Sequence, residues 1–308
     1  MQSTRPLKIL VYGATGSQAA PTVSALLERG HRPFVLTRAA AKAAHLAAAG
    51  AAVLEGDMGD PARLAEASAG MDGVALLIPA FVRSPEDALA YGRNAIEAAR
   101  AAGVGLIVWN TSGVIPPAPT GNPMNDLRID IAEALRASGV PHITIQPTLY
   151  AENLLGPWTA PFVAQEDRVA YPTPPELRVG WIASVDVGLL VAAAFERPEL
   201  AGRSFVVSGI EAPDGPELAQ AFSAALGRPI SYRALPPREF GAILDRAFGP
   251  GAGDAVAAGY EAIWAGGEAP PTVAEMGSVL AALPVRMRTM REWVAEHAAA
   301  FQPVAQPA

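Results

Sequence analysis

A glycine turn set between a short apolar run and a helical stretch constrains this chain more than any other feature. Residues 8–12 (KILVY) read as a buried strand, and Gly13-Ala14-Thr15-Gly16-Ser17-Gln18-Ala19 follows at once. Helical spacing then runs from about Ser17 to Arg29, with Gly30 as its stop. Pro21 falls in the first turn, where a missing N–H does little harm. In this setting Gly13 allows a tight turn, Gly16 lets the backbone approach a diphosphate, and Ala19 still permits close helix–strand packing. The amides of residues 17–19 and the positive end of the helix are expected to face that anion.

Beyond the turn, strand and helix alternate. Further apolar strands are predicted over 33–37, 51–55, 73–78, 104–109 and 142–146, with helices over 39–49, from Asp60-Pro61, from Ser84 to near Gly103, and near 126–138. These strands are continuously apolar, as when both faces of a sheet are covered. The pattern predicts an α/β fold: a Rossmann-type, doubly wound parallel sheet. After about residue 150 prolines become frequent, and the rhythm changes to a smaller C-terminal α+β region, with a capping box at Thr289-Met290-Arg291-Glu292. With 308 residues, two domains fit: 1–150 for nucleotide binding and 151–308 for substrate, interleaved with the sheet edge.

Charge and composition remove several classes of function. A net charge of −7 argues against nucleic acid as a partner, since phosphate contacts need clustered Lys and Arg. With no cysteine, disulfides, Cys-ligated zinc and thiol catalysis are excluded. His31, His45, His142 and His297 form no ligand spacing, so no metal is expected. The first apolar run is short and broken by Gly13, unlike a signal peptide, and no stretch approaches the roughly 20 apolar residues of a membrane span. A cytoplasmic protein without a membrane partner is the expectation.

The end of the second strand selects the dinucleotide. Residues 29–54 contain no Asp or Glu, whereas an NAD site places an acid there for the ribose 2′-hydroxyl. Arg38 directly follows the strand and can fork onto a 2′-phosphate, with Lys42 one helical turn on. The predicted cofactor is NADP(H). Asp57, after the third strand, is a candidate acceptor for the adenine amino group or a loop cap, with Met58 beside it. Pro79, Ala80 and Phe81 are expected on the cofactor's other side.

At this point the chain resembles the NmrA-like family of atypical short-chain dehydrogenases. The resemblance rests on GATGSQA at 13–19, LTR at 36–38, EGDMGD at 55–60, NAIEAARAAGV at 94–104, QPTLYAENLL at 146–155, GWIASVDVG at 180–188 and REWVAEHAAAF at 291–301. It implies NADP(H) in a cleft near Gly13, Thr15, Gly16, Ser17, Gln18 and Arg38. It also implies one of two roles. Some members reduce quinones or small carbonyl and alkene compounds; others bind the dinucleotide without turnover and report redox state to a regulatory protein partner.

Short-chain dehydrogenases commonly protonate a carbonyl with the Tyr of a Tyr-x-x-x-Lys pair. Four residues beyond Tyr12, Tyr91, Tyr150, Tyr171, Tyr232 and Tyr260 stand Gly16, Ala95, Leu154, Pro175, Pro236 and Trp264. The chain's only lysines are Lys8 and Lys42. Where some members carry a Lys four residues before a Glu, here Glu133, this chain has Ile129. The adjacent Arg128 can pair with phosphate or ribose but is too basic to donate a proton. Hydride transfer itself needs mainly an aligned nicotinamide and an acceptor, and a quinone can take its proton from water. Asn110, Thr111 and Ser112, after the fifth strand, are placed to touch nicotinamide or acceptor. Tyr150 and Asn153 are expected to face the same cleft. Ser112 and Tyr150 are the catalytic candidates. The sequence therefore predicts an NADPH-dependent oxidoreductase acting on a quinone-like small molecule, or alternatively a non-catalytic redox sensor. A homodimer stays open.

Overall fold

The computed structural model describes residues 5–79, 82–267 and 270–303. The chain runs β1 (Lys8–Val11), α1 (Ala20–Glu28), β2 (Arg32–Thr37), α2 (Ala44–Ala48), β3 (Ala52–Glu55), α3 (Pro61–Ser68), β4 (Gly73–Leu76), α4 (Pro85–Ala101), β5 (Leu106–Asn110), α5 (Pro123–Ser138) and β6 (His142–Pro147). It continues through β7 (Leu149–Tyr150), α6 (Ala160–Glu166), β8 (Arg168–Tyr171), β9 (Trp181–Ile182), α7 (Ser184–Phe195), β10 (Ser204–Val207) and α8 (Gly215–Leu226). The last elements are β11 (Ser231–Ala234), α9 (Pro237–Phe248), α10 (Asp254–Trp264), α11 (Met276–Ala282) and α12 (Met290–Glu296).

Seven strands form one parallel sheet in the order β10-β6-β5-β4-β1-β2-β3. This is the doubly wound α/β sheet the alternation predicted. Strand order reverses between β1 and β4, where Leu10 pairs with Phe34 on one side and Val74 on the other. The crevice at such a reversal, beyond the carboxyl ends of the strands, is where ligands bind in open α/β sheets.

The chain divides into two units. The first comprises residues 1–147, 184–207 and 277–286; the second comprises 148–183, 208–276 and 287–308. The first departure lies close to the expected cut at 150, but the chain then returns to the first unit twice. Two packings account for the earlier return. β10 pairs with β6, Val206 opposite Gln146. Gly188 of α7 lies so close to α1 that a Cβ there would stand 2.7 Å from the backbone carbon of Pro21.

The first unit is cored by Leu10, Tyr12, Leu64, Leu76, Ile107, Trp109 and Ile131, all buried. The second unit contains two two-stranded parallel sheets, β11-β8 and β7-β9, around Trp181, Phe222, Phe240, Trp293 and Phe301. Its strands β7, β8, β9 and β11 are two to four residues long and give too little periodicity to be read from the sequence. The capping box at Thr289 and Glu292 is present. Among the described residues no helix is long and apolar enough to cross a membrane, and no cluster of His, Asp or Glu is arranged to hold a metal.

Candidate functional site

The glycine turn sits at the carboxyl end of β1. Gly13 has φ +73°, a left-handed conformation, and a Cβ there would stand 2.7 Å from Leu77 Cδ2. Both conditions require glycine. The Gly16 amide donates to Gly13 O at 2.9 Å and closes the turn. A Cβ on Gly16 would meet only Gly13 O, so the outer face of the turn is open to a ligand. Helix α1 begins at Ala20, later than the periodicity suggests, because the turn consumes residues 16–19. The Ala19 amide, expected to face the anion, instead turns back onto Gly16 O at 3.3 Å. Among the described residues the amides of Thr15, Ser17 and Gln18 have no protein acceptor, and Thr15 and Ser17 are exposed. A cluster of unsatisfied N–H groups at a helix start is an anion cradle.

A cleft of about 400 Å3 opens beside this turn, across the ends of β1 to β4. Gly13 and Thr15 line it from β1, Leu36, Thr37, Arg38, Ala39 and Lys42 from β2, and Gly56, Asp57 and Met58 from β3. Pro79, Val82, Arg83 and Tyr91 form the opposite wall. The predicted residues Gly13, Thr15, Arg38, Lys42, Asp57, Met58 and Pro79 thus come together. Ala80 and Phe81 lie outside the described residues. Arg83 and Tyr91 escaped sequence reading. Arg83 precedes α4 in a loop with no fixed pattern, and Tyr91 looks like an ordinary position on a long helix.

Three cations and one carboxylate line the cleft. Arg38 is three-quarters exposed, and its Nε stands 4.0 Å from Asp57 Oδ2. Asp57 Oδ1 accepts the Gly59 amide at 2.7 Å, so the loop-cap reading of this acid holds for one oxygen. Glu55, at the end of β3, accepts the Ala40 amide at 3.1 Å. That bond steadies the turn carrying Lys42, which is a 3-10 turn (Ala40–Ala43) rather than the start of the helix expected over 39–49.

Asn110, Thr111, Ser112, Gln18 and Arg128 form a second group. Asn110 Oδ1 accepts the Ser112 amide at 3.0 Å. Thr111 Oγ1 donates to Ile145 O at 3.2 Å and to Gly113 O. Ser112 has φ +56°, and its hydroxyl donates to Gln18 Oε1 at 2.6 Å. Arg128 holds the loop after β5. Its Nε donates to Thr111 O at 3.0 Å and its Nη2 to Ser112 O at 3.3 Å. The guanidinium thus braces the loop after β5.

Tyr150 and Asn153 belong to the second unit. Tyr150 is buried and pairs with Ile182. The Asn153 backbone carbonyl accepts Trp158 Nε1 at 2.7 Å. Burial pushes the Tyr171 hydroxyl up to about 12, and Tyr260, which donates to it at 3.1 Å, also lies well above the ordinary tyrosine range. These two hydroxyls belong to the interior of the second unit.

A parallel sheet with its cleft at the order reversal, flanked by a glycine turn, defines a Rossmann-class α/β protein. Within that class the chain belongs to the NmrA-like family, which matches residues 6–265. It is 31% identical over 301 residues to the NAD(P)H azoreductase of Xenophilus azovorans, covering 95% of this chain and 99% of that one. It is 27% identical to quinone oxidoreductase 2 of Escherichia coli, covering 77% of this chain and 80% of the relative. The E. coli enzyme's structure with NADPH superposes with a TM-score of 0.78, covering 94% and 99% of the two chains at 24% identity. Triphenylmethane reductase of Citrobacter sp. with NADP(H) gives a TM-score of 0.77 at 21% identity, covering 94% and 99%.

Proposed function

We propose that this chain binds NADP(H) in the cleft at the ends of β1 to β4 and reduces a small conjugated acceptor, a quinone or a similar apolar compound, by hydride transfer. The observation that carries the reading is an unsatisfied amide cradle at Thr15, Ser17 and Gln18 that meets, at Thr15, a cleft lined by Arg38, Lys42 and Arg83. The cradle fits a diphosphate, and the cations at the end of β2, where an NAD site carries an acid, fit a 2′-phosphate. The donor set therefore suits the group.

The bound dinucleotide would supply the hydride. Gly13 and Gly16 would let the backbone approach its diphosphate, and Arg38 and Lys42 would hold its adenosine end. Ser112 holds the Gln18 side chain, and Arg128 holds the loop from which Ser112 does so. No Tyr-x-x-x-Lys pair exists in the sequence. The reading accordingly favours acceptors that, once given a hydride, take their proton from water. The azo and quinone acceptors named for the two curated relatives are of this conjugated kind.

The test is NADPH consumption with a panel of quinones, azo compounds and enones, beside calorimetric titration of NADP+ and NADPH. Loss of NADPH absorbance with a panel member supports the reductase. Tight binding that differs between the redox forms, without consumption, supports a redox sensor; the absent Tyr-x-x-x-Lys pair favours this second reading. No binding of either form overturns both.

A further inference from the structure

Asp57 stands where its charge acts on Arg38. Its two oxygens have different work. Oδ1 is held by the Gly59 amide at 2.7 Å, which fixes the plane of the carboxylate. Oδ2 is thereby left 4.0 Å from Arg38 Nε, on the wall of the cleft. Arg38 is the side chain best placed to grip a phosphate at the end of β2. A fixed carboxylate at that distance neutralises part of the guanidinium charge before any ligand arrives, and it repels a phosphate dianion approaching the same group. The same oxygen is an acceptor with spare lone pairs, the group that a ribose 2′-hydroxyl seeks.

Resting on the dinucleotide reading above, we infer that Asp57 is a specificity-determining residue. It opposes Arg38 and so holds down the preference for a 2′-phosphorylated dinucleotide, leaving the cleft able to take NADH as well as NADPH. This differs from a role toward adenine, since a base contact would serve both dinucleotides equally.

The probes are 2′,5′-ADP and 5′-AMP, which differ only by the 2′-phosphate, titrated calorimetrically into the full chain. Asp57→Asn keeps an oxygen for the Gly59 amide and removes the charge. In this variant 2′,5′-ADP should bind about 3- to 10-fold tighter, with the gain shrinking as salt is added, while 5′-AMP binding stays equal or weakens. Asp57→Ser, whose hydroxyl can also accept the Gly59 amide, should shift the ratio the same way and serves if the first variant folds poorly. NADP+ and NAD+ should repeat the pattern. Equal weakening of both probes, or no change in either, overturns the assignment. If the unaltered chain binds neither probe, the dinucleotide reading fails instead, which is a separate result.

Discussion

The Ser112 hydroxyl donates to Gln18 Oε1 at 2.6 Å from a backbone held at φ +56°. A non-glycine residue in the left-handed region costs on the order of 1 kcal/mol and persists where its surroundings impose it. Here the Arg128 guanidinium holds the carbonyls on both sides, and Asn110 holds the Ser112 amide. The strained residue thus connects the loop after β5 to the glycine turn after β1.

Two substitutions at Ser112 separate strain from hydrogen bonding. Ser112→Ala keeps the unfavourable φ and loses the bond to Gln18, and should destabilise by about 1–2 kcal/mol. Ser112→Gly loses the same bond but relieves the backbone, and should be less destabilising than alanine by some tenths to about 1 kcal/mol. Urea unfolding followed by circular dichroism reads the difference. Equal stability of the two variants would show that the backbone at 112 carries no strain.

Arg38 is three-quarters exposed, so Arg38→Glu should change folding stability by less than about 0.5 kcal/mol. Its effect belongs to binding. Loss of a charge-assisted fork, with a carboxylate in its place, should weaken NADP+ by about 30- to 100-fold and NAD+ far less. Calorimetry on the folded variant checks the ratio, and an unchanged NADP+ affinity would remove Arg38 from the phosphate site.

Gly188 sets the distance between α7 and α1. A methyl group there would meet Pro21 C at 2.7 Å and Thr22 N at 2.8 Å, both backbone atoms that no rotamer change can move. Gly188→Ala should destabilise by about 1–3 kcal/mol or more. Because α1 begins at the phosphate turn, its displacement should also lower dinucleotide affinity. A variant as stable as the parent by thermal unfolding would mean that the two helices part without penalty.

His31 gives the first unit a pH dependence. The ring is buried, Nδ1 accepts the Leu7 amide at 3.3 Å, and Nε2 faces Glu196 at 3.7 Å. Burial lowers its pKa below 6.5; Glu196 works against this and Arg29 with it. The unfolded chain then binds the proton more readily than the folded one. The neutral ring's contribution is complete above pH 6.5 and is lost as pH falls from there through the folded value. His31→Asn, which retains an acceptor for Leu7, should flatten this part of the stability curve in urea titrations from pH 7.5 down to about 5. An unaltered slope would place the titration elsewhere.

Short-range chemistry was readable from the chain itself. The strand, glycine turn and helix that begin it, the acid-free stretch before Glu55 with Arg38 and Lys42, and the caps at Asp60, Ser84 and Thr289 all concern residues within a few positions of one another. At that range backbone sterics and hydrogen bonding decide conformation. Alternating apolar runs likewise specified a parallel sheet, since burial on both faces leaves a signature in each strand. Tertiary structure alone decided the rest. Ser112 and Gln18 meet across 94 positions, Arg128 turns to the loop after β5, and Arg83 and Tyr91 close the cleft wall. It also brought α7 and β10 back to the first unit. Such contacts are chosen by which surfaces the whole chain can bury together, and no local pattern of residues encodes that choice.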